Sequence, residues 1–308
     1  MKTFRKNFIK RKPLRKASSK AQSAMEYLMT YGWAILIISV VLAALFQLGV
    51  FNANNFAPKA PPGACQVFRP NGPGTTSFIS LEGECSGVLP QYVAQFNGQT
   101  SHILLSDKNL PTGSSPRTFT AWVQPSGPNQ GGSVVSYGTP TQNGEWIMMW
   151  TKTLSSNALQ LSSWGGNPAW YTGGITTPNF YFIAVSIINA NTIYGAVNSN
   201  YTLLTQLSYP VNTVLNGQLV IGDSNPPGYI QFNGLIANIQ IYNTSLSANE
   251  IQALYLEGIG GAPIDLQHLI GWWPLNGNVN DYSGNGNNGQ IIGNVNFVSN
   301  WYNGYTPP

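Results

Sequence analysis

From Leu28 to Phe51 the chain carries no charged residue. No other stretch constrains the fold as strongly, because about 20 apolar helical residues span a bilayer core of roughly 30 Å. The apolar region of a secretory signal is about half as long, so this run is expected to stay in the mature protein. A small polar collar, Gln22-Ser23-Ala24-Met25-Glu26, precedes it. The expected organisation is a basic leader at residues 1–21, a hydrophobic helix at 22–52, a linker with a pinned loop at 53–90, and a β domain at 91–308. The helix is expected to cross a cell membrane once, with its N-terminus cytoplasmic and the β domain outside.

Charge supports that division. Nine of the 14 Lys and Arg residues lie in positions 1–20, where there is no acid. From Gln22 onward five basic residues face ten acidic ones, a net charge near −5. The overall pI of 9.0 therefore belongs to the leader and excludes a nucleic-acid partner for the rest. Positive charge in a leader holds that end on the cytoplasmic side.

The collar resembles the class III signal peptide of archaeal type IV pilin-like proteins, carried by Gln22-Ser23-Ala24-Met25-Glu26-Tyr27-Leu28 and the apolar run behind it. The resemblance implies cleavage by a prepilin peptidase between Ala21 and Gln22. It also implies that Glu26 pairs with the freed amine of Gln22 in an adjacent copy, so that copies of the chain assemble into a filament after leaving membrane lipid. A carboxylate resting unpaired at headgroup level is the plain alternative for Glu26.

The region 52–308 is long enough for one large β domain with its own core. Only 8% of the chain is charged, and Gly and Asn abound. Cys65 and Cys85 are the only cysteines. An even count behind an export helix suggests one disulfide. It would close a loop of about 20 residues and contribute roughly 3 kcal/mol. Two buried thiols are the alternative. Prolines 58, 61 and 62 make the preceding segment a stiff spacer, and residues 64–90 read as a disulfide-pinned loop or small hairpin.

From Gln91 the chain reads as short strands separated by Gly, Asn and Pro: 92–96, 102–105, 118–123, 133–137, 145–150, 159–161, 180–188, 192–197, 218–221 and 234–242. Asn97-Gly98 is a strong turn signal. In Thr118–Val123, Phe119, Ala121 and Val123 alternate against Thr118, Thr120 and Trp122, so one face is expected to be buried with Trp122 on the other. Ser247-Ala248-Asn249-Glu250 fits a capping box and opens one short helix, with an apolar stripe of Ile251, Leu254 and Tyr255 and a stop at Gly258. That helix is expected to pack on one end of the sandwich. Leu269–Leu275 and Asn296–Val298 close the run.

These segments resemble the concanavalin A-like, laminin-G-like jelly roll family. The resemblance rests on Tyr92–Gly98, Phe119–Trp122, Phe232–Tyr242, the helix stripe, Gly271-Trp272-Trp273-Pro274-Leu275-Asn276-Gly277 and Asp281-Tyr282-Ser283-Gly284-Asn285-Gly286. The fold class it implies is mainly β: an antiparallel sandwich, or jelly roll, behind one long N-terminal transmembrane or pilin-type helix. In the family the Trp-Pro and Asp-x-Ser-Gly-Asn-Gly segments open the domain, whereas here they close it. Either the first strand is permuted to the end of the same sandwich, or residues 269–308 begin a second copy that pairs with a neighbouring subunit.

Asp281, Ser283, Asn285 and Asn287 place side-chain oxygens at alternate positions and could hold Ca²⁺, with Asp223 as a second carboxylate. The alternative is a turn whose Asn and Gly residues serve positive φ. Trp164, Trp170 and Tyr171 lie in or beside a loop and could stack on a sugar; core packing is the other use of such rings. Asn200-Tyr201-Thr202 and Asn243-Thr244-Ser245 are N-glycosylation sequons. Glu145 stands alone in its strand and no Glu-x-Asp-x-x-Glu pattern exists, so the paired carboxylates of glycoside hydrolysis are not evident. His102 and His268 have no ligand-spaced partner for zinc. The expected function is a pilin-like surface subunit displaying a jelly roll for adhesion or carbohydrate binding. The alternatives are a membrane-anchored lectin that does not polymerise and, third, a surface glycosidase.

Overall fold

The computed structural model describes residues 19–47, 65–70, 76–81, 89–127, 132–141, 145–152, 157–162, 169–172, 179–204 and 210–308. For 19–26, 28, 46–47, 65–70, 76–81, 145–152, 157–158 and 169–172 it describes the backbone alone. Two compact units result, Met1–Lys59 and Ala60–Pro308.

In the first unit, helix α1 runs from Ser19 to Gln47. It exposes large apolar side chains between Tyr27 and Leu42, among them Trp33 and Leu36. The expectation of a single membrane pass is overturned: among the described residues, no helix is long and apolar enough to cross a membrane. The helix takes its first turns from Lys20 to Glu26 and closes at Gln47, before the end of the uncharged run. The cytoplasmic and exterior placement of the two ends falls with the membrane pass.

The second unit opens with a hairpin, β1 (Cys65–Pro70) and β2 (Thr76–Leu81), which forms a sheet of its own. The rest is a sandwich of two antiparallel sheets. The first sheet has the order β12 (Asn200–Leu203), β11 (Thr192–Val197), β10 (Tyr181–Asn189), β5 (Arg117–Pro125), β14 (Asn233–Tyr242), β3 (Val93–Asn97) and β17 (Asn296–Val298). The second has β16 (Gln290–Ile292), β4 (His102–Leu105), β13 (Leu219–Ile221), β6 (Gly132–Gly138), β7 (Glu145–Lys152), β8 (Asn157–Ser162) and β9 (Ala169–Thr172).

The C-terminal segments complete both sheets of this same chain. Strand β14 pairs along its whole length with β5 on one side. On the other side it pairs with β3 only over 233–236. Strand β15 (Leu269–Trp273) takes the vacant half, with Ile239 opposite Trp273 and Gln240 opposite Trp272. A bulge at Asn238, whose φ is +48°, separates the two halves. Its side chain satisfies the local polar groups: Nδ2 donates to the Gly261 carbonyl at 2.8 Å, and Oδ1 accepts the Trp272 indole N–H at 2.8 Å. Strands β16 and β17 then pair with β4 and β3, one in each sheet.

Alternation builds the core. Phe119, Ala121 and Val123 point between the sheets with Ile183, Val185, Ile103, Ile221 and Tyr137. Trp122 points the other way and is nonetheless buried. Helix α2 (Ala248–Leu256) and the C-terminal residues Trp301 and Tyr305 cover that outer face, with Tyr255 stacked on Trp122 at 5.9 Å. The helix therefore packs on a sheet face, not on one end of the sandwich. Ser247 caps it, and Glu250 returns a carboxylate to the Ser247 amide at 2.7 Å, the reciprocal box expected from these residues.

Candidate functional site

The second sheet has one face on the core and one turned away from it. Ile103, Leu105, Val135, Tyr137, Leu159, Leu161, Leu219 and Ile221 pack inward. Strand alternation then sends His102, Leu104, Ser136, Gln160 and Val220 outward. Register aligns Leu104, Val220 and Ser136 in one row across this outer face.

The loop after β13 folds back over that row. Ser136 Oγ donates to the Asp223 carbonyl at 2.9 Å. Asn225 Nδ2 donates to the Gly138 carbonyl and to Asn216 Oδ1, each at 3.0 Å. Asp223 is the hub. Its Oδ1 accepts the amides of Ser224 at 2.7 Å and Ile230 at 3.3 Å, and its Oδ2 accepts that of Gly228 at 2.7 Å. A carboxylate accepting several amides fixes a loop without help from another element. The clamped turn Pro226-Pro227-Gly228 carries Tyr229 at its apex, 69% exposed. His102 Nδ1 lies 4.0 Å from Asp223 Oδ2, beyond hydrogen-bonding range. Burial holds the His102 imidazole below its usual 6.5, with the Asp223 charge and a Thr100 backbone hydrogen bond opposing.

The expected calcium set does not assemble. Asp281 Oδ1 accepts the amides of Trp272 at 3.0 Å and Ser283 at 2.9 Å, and Oδ2 accepts that of Asn287 at 2.9 Å. Ser283 Oγ, Asn285 Nδ2 and Asn287 Nδ2 converge as donors on the carbonyl of Ile270 at 3.0, 2.9 and 3.1 Å. A divalent cation needs converging acceptors, so these residues do not fit one. Asp223 is committed to its own loop. Among the described residues, no group of three or more His, Cys, Asp or Glu side chains could hold a metal ion.

Of the aromatic candidates, Trp164 lies outside the described residues. Trp170 and Tyr171 fall on the edge strand β9, opposite Gln160 and Leu159, with only their backbone described. Tyr229 was missed by sequence reasoning; the signal for it was a Pro-Pro-Gly turn followed at once by an aromatic residue. Asn200 and Asn243 are both exposed, on β12 and just after β14. Ala21, Gln22 and Glu26 lie within α1, where only the backbone is described. Cys65 begins β1, and Cys85 lies outside the described residues, so the proposed disulfide does too.

The family described as the concanavalin A-like lectin/glucanases superfamily matches residues 97–252. No curated protein sequence matches the chain. Among solved structures, the native heptameric SAP-like pentraxin from Limulus polyphemus is similar at a TM-score of 0.50 and 14% identity, over 69% of this chain and 97% of that one. A candidate carbohydrate binding protein from Bacteroides ovatus is similar at a TM-score of 0.51 and 14% identity, over 73% of this chain and 63% of that one. At these identities the likeness is one of fold.

Proposed function

Because this chain belongs to the concanavalin A-like lectin/glucanases superfamily, we propose that its sandwich binds carbohydrate on the outer face of the second sheet and does not cleave it. The observation that carries this reading is Tyr229, an exposed ring on a loop that Asp223 clamps to that face. A ring carried on a loop whose backbone is already fixed by the Ser224, Gly228 and Ile230 amides requires less ordering of that backbone on binding. Aromatic faces cover the apolar faces of sugars, and Trp170 holds the register position on β9 opposite Gln160, which strand alternation assigns to this outer face. The state of the acids favours binding over hydrolysis. Asp107, Asp223 and Asp281 are each buried and accept backbone amides, which leaves them poorly placed to act as an acid–nucleophile pair. A glycan array probed with the full chain is expected to give at least one hit that Tyr229→Ala weakens tenfold or more. Absence of any hit overturns the reading.

A second reading is favoured by helix α1. Tyr27, Met29, Tyr31 and Trp33 are each at least 65% exposed, and α1 carries no charge beyond Glu26. A helix that is apolar all round is normally buried against something. We infer that copies of this helix pack on one another, as in the pilin-like assembly that the collar suggests, with cleavage before Gln22 and Glu26 pairing to the new amine. Glu26→Ala is expected to abolish assemblies visible by electron microscopy. Normal assemblies from that variant contradict the pairing.

A further inference from the structure

Strand β12 is the outermost strand of the first sheet, and its far side meets no other strand among the described residues. Edge strands in native proteins are normally blunted by a charge, a proline or a bulge, because an open row of amides and carbonyls invites pairing with another chain. Asn200-Tyr201-Thr202-Leu203 has no charge and no proline, and it pairs with β11 in unbroken register from Val197 opposite Asn200 to Tyr194 opposite Leu203.

The same four residues contain a sequon in an accessible setting. Asn198 and Ser199 form a two-residue hairpin turn, with Asn198 at φ +54° and its amide bonded to the Phe182 carbonyl at 2.8 Å. Asn200 therefore sits at a hairpin tip. Alternation turns Tyr201 to one side, where its ring stacks on Tyr194 at 4.9 Å and 3°. Asn200 and Thr202 share the opposite face of the strand, and both are exposed. The backbone of the other sequon is pinned to neighbouring elements. The Asn243 amide donates to the His268 carbonyl at 2.9 Å, Thr118 Oγ donates to the Thr244 carbonyl at 2.8 Å, and the Leu246 amide donates to Thr118 Oγ at 2.8 Å.

We propose that Asn200 is an N-glycan acceptor and that its glycan covers the free edge of β12. The co-reactant is a glycosyl (di)phosphate donor. The Asn200 Nδ2 atom attacks the anomeric carbon, the N–C1 bond forms, and the C1–O bond to phosphate breaks. The phosphate leaves with that electron pair, and the amide proton passes to a base of the transferring enzyme. The linkage is bulky and solubilising, which is what an uncharged edge lacks.

The test is peptide mass spectrometry of the full chain isolated from its native cells. The Asn200 peptide is expected to carry added hexose-type mass, to keep it in Thr202→Ser and to lose it in Thr202→Ala. An unmodified Asn200 in the wild-type chain overturns the proposal. Analytical ultracentrifugation then compares the wild type with Asn200→Gln under one buffer condition. A shift of the variant to larger species is expected, and identical sedimentation overturns the edge-covering role.

Discussion

Asp281 accepts the backbone amide of Trp272 at 3.0 Å, across the turn that leaves β15. One carboxylate thereby ties the loop to the strand that fills the open half of β14. The motif that suggested a cation site is a staple made of amides.

Asp281→Ala should therefore be costly. It leaves two buried amides, of Trp272 and Asn287, and the half-buried amide of Ser283 without acceptors, for an expected loss of about 3–5 kcal/mol in urea unfolding. Calcium and EDTA should give melting temperatures within about 1 °C of each other, because an ion that does not bind the native state cannot stabilise it. A large rise with calcium contradicts the staple.

His102 makes stability depend on pH. Its folded pKa lies below 6.5 because burial disfavours the imidazolium. Below pH 6.5 the unfolded chain binds the proton more readily, so stability is full above that pH and is lost as pH falls toward the folded pKa. Urea midpoints between pH 7.5 and 5.5, an interval chosen around the usual His value of about 6.5, should fall in the wild type. They should fall less in His102→Gln. Equal slopes contradict the assignment.

Arg117 is fully buried and, among the described residues, pairs with no carboxylate. Its guanidinium donates to the carbonyls of Pro111 at 2.8 Å and Ser115 at 3.1 Å, and also to Gly113 and the Tyr137 hydroxyl. Tyr137 in turn donates to the Pro111 carbonyl at 2.8 Å. Arg117→Lys keeps the charge but loses the planar fork, and should cost about 2–4 kcal/mol by denaturant unfolding. A loss under about 0.5 kcal/mol contradicts the cage.

The sequence made much of this architecture legible, and its limits have physical causes. Strand alternation in Thr118–Val123 and the capping box at Ser247 are local signals, and both are met in the structure. Trp122 pointed away from the main core, but its burial depends on α2 and on Tyr305, which is distant in sequence. The Arg117 cage is made of backbone carbonyls, to which side-chain identity gives no clue. Oxygen-bearing residues alternating around Asp281 look alike whether they face an ion or bond to Ile270. The uncharged run from Leu28 to Phe51 continues past Gln47, where the described helix ends, and among the described residues no helix is long and apolar enough to cross a membrane.

The claim at the centre of this account is that the clamped loop and the outer face of the second sheet hold a sugar without cutting it. Isothermal titration of the full chain with the strongest array hit, followed by mass analysis of the recovered oligosaccharide, tests it most directly. The account predicts saturable binding that weakens at least ~10-fold, about 1.4 kcal/mol, in Tyr229→Ala, with the oligosaccharide recovered intact. Binding unchanged in Tyr229→Ala, or recovery of shortened sugar, would contradict it.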